Sequence, residues 1–256
     1  MQLPLLEQAA VGNASDAPPA LLAALRLTLV SGACLAVHFW SWIASLAYTS
    51  VASSTVLVTT NPIWVGLASL LLLRERLPAA SLAGIALSIA GTGLIFASDT
   101  QPGAGATDPA PRFGNTLALV GAVSASAYLL IGRPLRSRLS LLSYVWLAYA
   151  SSAVLLWAAA FASGTALLGF SLFAYALVLA LAVGPQLLGH TAFNWSLRHL
   201  SATLVALSIL GEPVGSALLA YFIFGERLAT LQLAGFLLIL VGIFVAARAE
   251  RRAQPT

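Results

Sequence analysis

Long apolar runs, separated by short polar connections, dominate the chain. Eight runs approach the ~20 residues that a helix needs to cross a bilayer: 27–48, 51–73, 78–97, 114–131, 141–162, 172–196, 200–224 and 229–247. They are longer and more uniformly apolar than the alternating ~10-residue strands of a membrane barrel. Because a spanning segment must satisfy its own backbone hydrogen bonds, each run is predicted to be an α-helix. The pattern therefore predicts an all-α membrane protein with about eight transmembrane helices.

One part of this pattern occurs twice. Residues 61–91 and 212–242 each contain an apolar run, a short charged turn and a second apolar run. At a constant offset of 151 positions, the residues that recur include Pro62/Pro213, Glu75/Glu226, Arg76/Arg227, Gly84/Gly235 and Gly91/Gly242. Leucine and alanine matches carry little weight in so apolar a chain, whereas proline, charged and glycine residues in a fixed register do. The sequence therefore contains an internal duplication.

Composition narrows the class of protein. The chain is 60% hydrophobic and 8% charged, with a mean hydropathy of +0.94, whereas a soluble domain carries roughly 25% charged residues. Such a chain could not cover a surface that faces water. Its single cysteine, Cys34, excludes an internal disulfide and a cysteine-based metal site. No glycine-rich phosphate loop or Gly-x-Ser-x-Gly elbow occurs, although a membrane-embedded enzyme requires neither.

The placement of arginine predicts an orientation. All 12 basic residues are arginine. If each of the eight helices crosses the membrane once, ten of these arginines lie on one side of the membrane and two on the other. The positive-inside rule then places both termini and the loop 132–140 in the cytoplasm. The duplicated turns fall on opposite faces, Glu75 inside and Glu226 outside, so the repeats are predicted to be inverted. This placement also argues against a nucleic-acid partner, which the net charge of +4 alone would allow.

The two repeats divide the chain unequally. We expect a polar N-terminal tail at 1–25, a first repeat of three helices at 26–98, a linker at 99–113, a second repeat of five helices at 114–248 and a C-terminal tail at 249–256. Proline, glycine and aspartate mark the linker. At the offset of 151, the first two helices of the second repeat have no counterparts, so the first repeat lacks two helices. Three explanations stay open: a truncated chain, a homodimer that completes the pathway, or a natural eight-helix variant.

Two polar residues mark matching places at membrane depth. Asn61 and Glu212 occupy equivalent positions in the repeats, each directly before a proline. Each proline should leave a carbonyl one turn back without its usual N–H partner, that of Val58 and that of Ile209. Because a carboxylate in hydrocarbon is costly, Glu212 is expected to face the bundle interior or water and to be protonatable. A structural role and a role in substrate or proton handling both remain open.

Further polar residues share helical faces. Gln186, His190 and Asn194 recur at i, i+4 and i+8, and His38 and Trp42 have the same spacing on the first helix. An alignment with one gap places His38 against His190. A lone histidine in a helical bundle is usually structural, but two at related positions in duplicated helices favour a shared role. Two histidines without a third ligand are weak evidence for a metal, and no cofactor is predicted.

In both halves the chain resembles the drug/metabolite transporter superfamily, specifically proteins built from EamA domains. The matching features are SLAYTSVASSTVLVTTNP, RERL and LAGIALSIAGTG in the first half, and GHTAFNWSLRHLSATLVALSILGEPV, GERL and LAGFLLILVG in the second. The resemblance covers about residues 27–248. It implies an inner-membrane carrier of small organic metabolites, often an exporter of amino acids or related compounds. The family pattern has ten helices in two inverted five-helix repeats, whereas this chain shows eight apolar runs.

The resulting hypothesis is alternating access between two inverted repeats, with a cavity near the membrane midplane. The candidate substrate-binding residues are His38, Trp42, Asn61, Gln186, His190, Asn194 and Glu212. The expected partners are the lipid bilayer and a small-molecule substrate, and no enzyme activity is expected. The alternatives are a membrane scaffold or regulatory subunit without transport, a truncated inactive transporter, and an intramembrane enzyme.

Overall fold

The computed structural model describes residues 19–71, 78–98, 110–199, 205, 211–225 and 229–253, and every regular element in these ranges is helical. The elements are α1 (Pro19–Ser45), α2 (Val51–Val58), α3 (Asn61–Leu71), α4 (Ala79–Ser98), α5 (Pro111–Arg136), α6 (Leu141–Ala162), α7 (Leu172–Leu181), a π-helical segment (Ala182–His190), α8 (Thr191–Ser196), α9 (Gly211–Phe224) and α10 (Thr230–Ala253). The predicted all-α fold class is confirmed.

The helices follow the predicted apolar runs. In the described part of the chain, five segments are long and apolar enough to cross a membrane: Leu21–Ser45, Val51–Ala68, Pro111–Arg136, Leu141–Ala162 and Leu172–Ser196. Shorter apolar helices occupy Ala79–Ile95, Gly215–Phe224 and Thr230–Ala246, and these coincide with the other three runs. The protein is therefore a multi-pass membrane protein.

Some boundaries differ from the expected ones. Helix α1 begins at Pro19, before the expected start of the first repeat at residue 26, because the intervening alanines and leucines favour a helix and Leu21 and Ala24 are buried. Helix α5 begins at Pro111, where proline suits a first helical turn. The charged turns, Ile209, most of the linker and both chain ends lie outside the described residues.

Side chains at the helix ends explain where several helices start and stop. Ser50, Ser140 and Ser171 cap α2, α6 and α7, and each hydroxyl oxygen accepts a hydrogen bond from a backbone N–H three residues on, at 3.1, 3.1 and 3.2 Å. Gly225 follows α9 with a φ of 67° and donates its N–H to the Tyr221 carbonyl at 3.1 Å. This left-handed conformation is that of a glycine C-cap.

The described chain folds into two compact units. The first comprises Met1–Ala36 and Ala127–Ser201, and the second comprises Val37–Ser126 and Ala202–Thr256. Each unit thus combines segments that are distant in the sequence. The core of the second unit is a cluster contributed by α2, α4, α5 and α10: Ala52, Val56, Leu57, Ile95, Ala118, Phe236, Ile239 and Ile243.

Helices α4 and α10 pack against each other through glycines. A Cβ atom added to Gly91 would lie 2.6 Å from the Gly235 carbonyl oxygen, and one added to Gly235 would lie 2.7 Å from that of Gly91. Gly84 and Gly242 approach each other in the same way, since a Cβ on either would meet the other's carbonyl oxygen. The pairing order makes the helices antiparallel. Such close backbone contact is a main source of helix association in lipid.

The same contacts reveal a local two-fold relation. The offset of 151 carries Gly84 to Gly235 and Gly91 to Gly242, so it exchanges the two glycine pairs. Ser88 and Ile239 are also 151 positions apart, and the Ser88 hydroxyl donates to the Ile239 carbonyl at 3.3 Å. Equivalent segments of the two copies therefore meet in opposite directions, which is the arrangement that inverted repeats require.

This pairing predicts unequal effects of alanine at two glycines of α4. Gly91→Ala puts a methyl group against the Gly235 backbone, so we expect a lower thermal midpoint, with overpacking costing about 1–3 kcal/mol. Gly93→Ala is the matched control, because nothing lies within 4 Å of a Cβ there. Thermal unfolding of both variants in detergent measures the difference. Equal midpoints would contradict the close approach.

Candidate functional site

The span predicted at 51–73 is interrupted before its proline. Helix α2 ends at Val58 and α3 begins at Asn61, so the following proline lies in a first helical turn, where its missing N–H does no harm. The expected single kinked helix is thus two helices. A break at membrane depth exposes backbone polar groups, and these need new partners because lipid supplies none.

Threonine side chains provide some of those partners. The Thr59 hydroxyl donates to the Thr55 carbonyl at 2.9 Å, and the Thr60 hydroxyl donates to the Leu57 carbonyl at 2.6 Å. All four residues are buried. The last carbonyls of α2 are therefore satisfied by the two residues that interrupt the helix.

The side chain of Asn61 also donates hydrogen bonds at this break. Its side-chain amide faces the Val58 and Ala122 carbonyl oxygens, and with its nitrogen on that side it donates to them at 3.0 and 3.1 Å. The nitrogen belongs there because both neighbours can only accept. The Asn61 carbonyl in turn accepts from the Ser126 hydroxyl at 3.2 Å. The Val58 carbonyl, expected to lack a partner, thus has one, and the break is tied to α5.

His38 and Trp42 form a second polar feature of this unit. The buried His38 ring bonds through Nδ1 to the Gly121 carbonyl at 3.0 Å, so Nδ1 carries the proton. Its ring stacks on Trp42 with centroids 5.8 Å apart and an interplanar angle of 18°. The Trp42 indole Nε1 is buried and has no hydrogen-bond partner among the described residues. This indole N–H is a donor that a ligand could use.

The first unit contains a long helix with an altered winding. Ala182–His190 is π-helical and contains Pro185, which cannot donate to the α-helical ladder. Segments of this kind often occur at functional sites. Gln186 lies within it, and its Oε1 atom is buried without a partner in the described chain.

Just beyond this segment is a group that we call the Asn194 cluster: Tyr128, Tyr149, His190, Thr191 and Asn194. Asn194 is fully buried, and its amide nitrogen, which carries two hydrogens, lies within hydrogen-bond distance of the Tyr128 hydroxyl, of the Tyr149 hydroxyl at 3.2 Å and of the His190 carbonyl oxygen at 2.8 Å. The Tyr149 and Thr191 hydroxyls lie 3.3 Å apart. The Asn194 amide oxygen, by contrast, is buried with no partner among the described residues.

A buried arginine holds the backbone beside this cluster. Arg136 is 1% exposed, and it donates from Nε to the Asn194 carbonyl at 3.0 Å and from Nη1 to the Leu139 carbonyl at 2.6 Å. Nearby in the same unit, the Ser31 and Tyr144 hydroxyls share a hydrogen bond of 2.7 Å. The arginine thus joins the α5–α6 turn to α8 through charge-assisted bonds.

The predicted site residues are divided between the two units. His38 stacks on Trp42 in the second unit, where Asn61 closes the helix break. In the first unit the His190 carbonyl is bonded to Asn194, and the His190 ring lies edge-on to Tyr128 with centroids 6.3 Å apart.

The sequence predicts that Glu212 lies at membrane depth and faces the bundle interior or water. It lies in the first turn of α9, which begins at Gly211, and its side chain is exposed. One turn further on, no atom of the described residues lies within 4 Å of a Cβ added to Gly215. The register nevertheless matches, because Asn61 and Glu212 each directly precede the repeated proline, at the start of α3 and at the start of the described part of α9.

Several polar residues escaped the sequence reasoning. Tyr128, Tyr149 and Arg136 were not identified because tyrosine is common at membrane interfaces and the arginine counted only toward orientation. The available signal was two tyrosines inside apolar runs, where a hydroxyl needs a partner. Among the described residues, no group of three or more His, Cys, Asp or Glu side chains could hold a metal ion.

Comparisons with known proteins agree with this architecture. The profile of the EamA-like transporter family matches residues 4–97 and 112–248. One solved structure, described only as "Crystal structure of protein", superposes with a TM-score of 0.58 at 21% identity, covering 98% of this chain and 93% of that chain. At that identity the likeness concerns the fold alone. No curated protein matches the chain. Since the family profile covers most of the sequence, the chain belongs to the EamA-like transporter family.

Proposed function

We propose that this protein is a secondary transporter that exports small organic metabolites, such as amino acids, by alternating access between its inverted repeats. Family membership supports transport of small molecules across a membrane. The observation that carries the mechanism is the two-fold pairing of α4 with α10, since inverted repeats are the construction of many secondary transporters. We further propose the cell inner membrane as its location, with both termini in the cytoplasm.

The proposed role of each site residue follows from whether its polar atoms have hydrogen-bond partners in the described chain. Trp42, Gln186 and Asn194 each offer a buried polar atom without a partner in the described chain, and these atoms are candidates for substrate contacts. His38 and Asn61 instead hold backbone carbonyls, so their proposed contribution is to shape the site. Glu212 and His190 complete the proposed substrate-binding set.

Flux through purified protein tests transport itself. Proteoliposomes loaded with a defined mixture of small metabolites should lose specific members faster than protein-free liposomes, with mass spectrometry as the readout. A transporter predicts selective loss. Equal retention in both preparations would favour the scaffold or regulatory-subunit alternative, and chemical conversion of a member inside the vesicles would favour an enzyme.

Cysteine labelling tests the orientation. The arginine count also places the linker 99–113 outside the cell. In a Cys34→Ala background, Ala104→Cys in this linker should therefore react with a membrane-impermeant maleimide added to intact cells. Ser137→Cys, exposed after α5 on the predicted cytoplasmic side, is the matched control and should react only after lysis. The reverse pattern would show that the arginine count assigns the wrong side.

The pH dependence of flux tests Glu212. Glutamine mimics the protonated carboxyl and cannot ionise, so Glu212→Gln should fold normally and flatten the pH profile of transport. Native and variant rates should converge at low pH, where the native carboxyl is protonated, and diverge as pH rises and it ionises. A parallel pH profile at normal expression would reject the proton role and favour a structural one.

A further inference from the structure

Within the Asn194 cluster, hydrogen-bond donors and acceptors are unequally used. The amide nitrogen of Asn194 has three acceptors within hydrogen-bond distance, the Tyr128 and Tyr149 hydroxyls and the His190 carbonyl. The amide oxygen has no donor among the described residues, although the side chain is fully buried. A buried acceptor without a donor is unfavourable, and an N–H or O–H group of a bound solute would satisfy it.

The orientation of this amide is set by its neighbours. A carbonyl can only accept, so the Asn194 nitrogen must face the His190 carbonyl. The hydroxyls of Tyr128 on α5 and Tyr149 on α6 contact the same nitrogen. Arg136 holds the main-chain carbonyl of Asn194. These contacts keep the amide oxygen turned away from the protein groups that surround the nitrogen.

The charged residues near Asn194 restrict the kind of hydrogen-bond donor that its amide oxygen could bind. The chain has 8 acidic residues, and none lies between positions 109 and 211, which include α5 to α8. Helices α5 to α8 therefore offer a buried cationic group no carboxylate, and such a group would be repelled by the guanidinium of Arg136, which bonds to the Asn194 carbonyl. An uncharged N–H or O–H group meets neither difficulty.

We propose that the Asn194 amide oxygen accepts a hydrogen bond from an uncharged N–H or O–H group of the transported solute, such as a primary amide or an alcohol. The His190 carbonyl sets which amide atom faces the solute, and Tyr128 and Tyr149 are positioning residues because their hydroxyls occupy the nitrogen and help to hold the amide in place. The role rests on the proposed transport function.

Matched pairs of solutes, loaded together into the same vesicle preparation, test the inference. Proteoliposomes are loaded with polar primary amides and polyols, each together with its N,N-dimethyl or O-methyl counterpart, and efflux is corrected for protein-free liposomes. The readout is the ratio of donor-bearing to methylated solute released. Damage to the fold lowers both members of a pair, so it does not change this ratio.

The native protein should favour the donor-bearing member by about tenfold or more, which corresponds to the cost of leaving one buried acceptor without a donor. Asn194→Leu should bring the ratio to about one. Tyr128→Phe and Tyr149→Phe should each lower it several-fold, because the amide is then freer to turn. Tyr175→Phe is the control and should keep the native ratio, since its partly exposed ring lies outside the cluster.

The outcomes separate the two claims. A native ratio of one, or an unchanged ratio in Asn194→Leu, overturns the recognition role while leaving transport intact. If Asn194→Leu does not fold, the ratio in Tyr149→Phe decides, and a native value there overturns the proposal. No efflux of any solute from native vesicles contradicts the proposed function and, with it, this role.

Discussion

The close approach of α4 and α10 is the contact on which the second unit depends. In lipid there is little hydrophobic gain from joining two apolar helices, so association relies on close packing and on polar contacts between backbones. Glycine at positions 84, 91, 235 and 242 permits both. Because the duplicated sequence supplies the same glycines to each helix, one contact is made twice about a local two-fold. The buried core of α2, α4, α5 and α10 then surrounds this pair.

Satisfying backbone polar groups is the second constraint, and the chain meets it in two ways. At the break between α2 and α3, Thr59, Thr60 and Asn61 bind the carbonyls that the interruption releases. At Asn194 the amide nitrogen is used in the same manner, but its oxygen is left without a partner in the described chain. The first arrangement favours a fixed structure, and the second favours recognition.

The residue before the repeated proline, Asn61 in one repeat and Glu212 in the other, has a different environment in each. Asn61 is buried and bonds to the backbone, whereas Glu212 is exposed in the first turn of α9. An amide can both donate to and accept from a broken helix, while an ionised carboxylate can only accept and favours a more open environment. The duplicated position before the proline thus carries different chemistry in the two repeats. This asymmetry is compatible with a carrier whose repeats have different tasks.

The sequence by itself determined the fold class, the helical segments and the inverted duplication, because the length of apolar runs, a fixed register and arginine placement are properties of the linear chain. It also located Asn61, His190 and Asn194 through helical spacing and proline. Only the tertiary structure decided which polar atoms are used. Tyr128, Tyr149 and Arg136 approach Asn194 from segments far apart in sequence, and spacing along one helix cannot encode such contacts. The exposure of Glu212 likewise depends on what packs against α9, which no local pattern records.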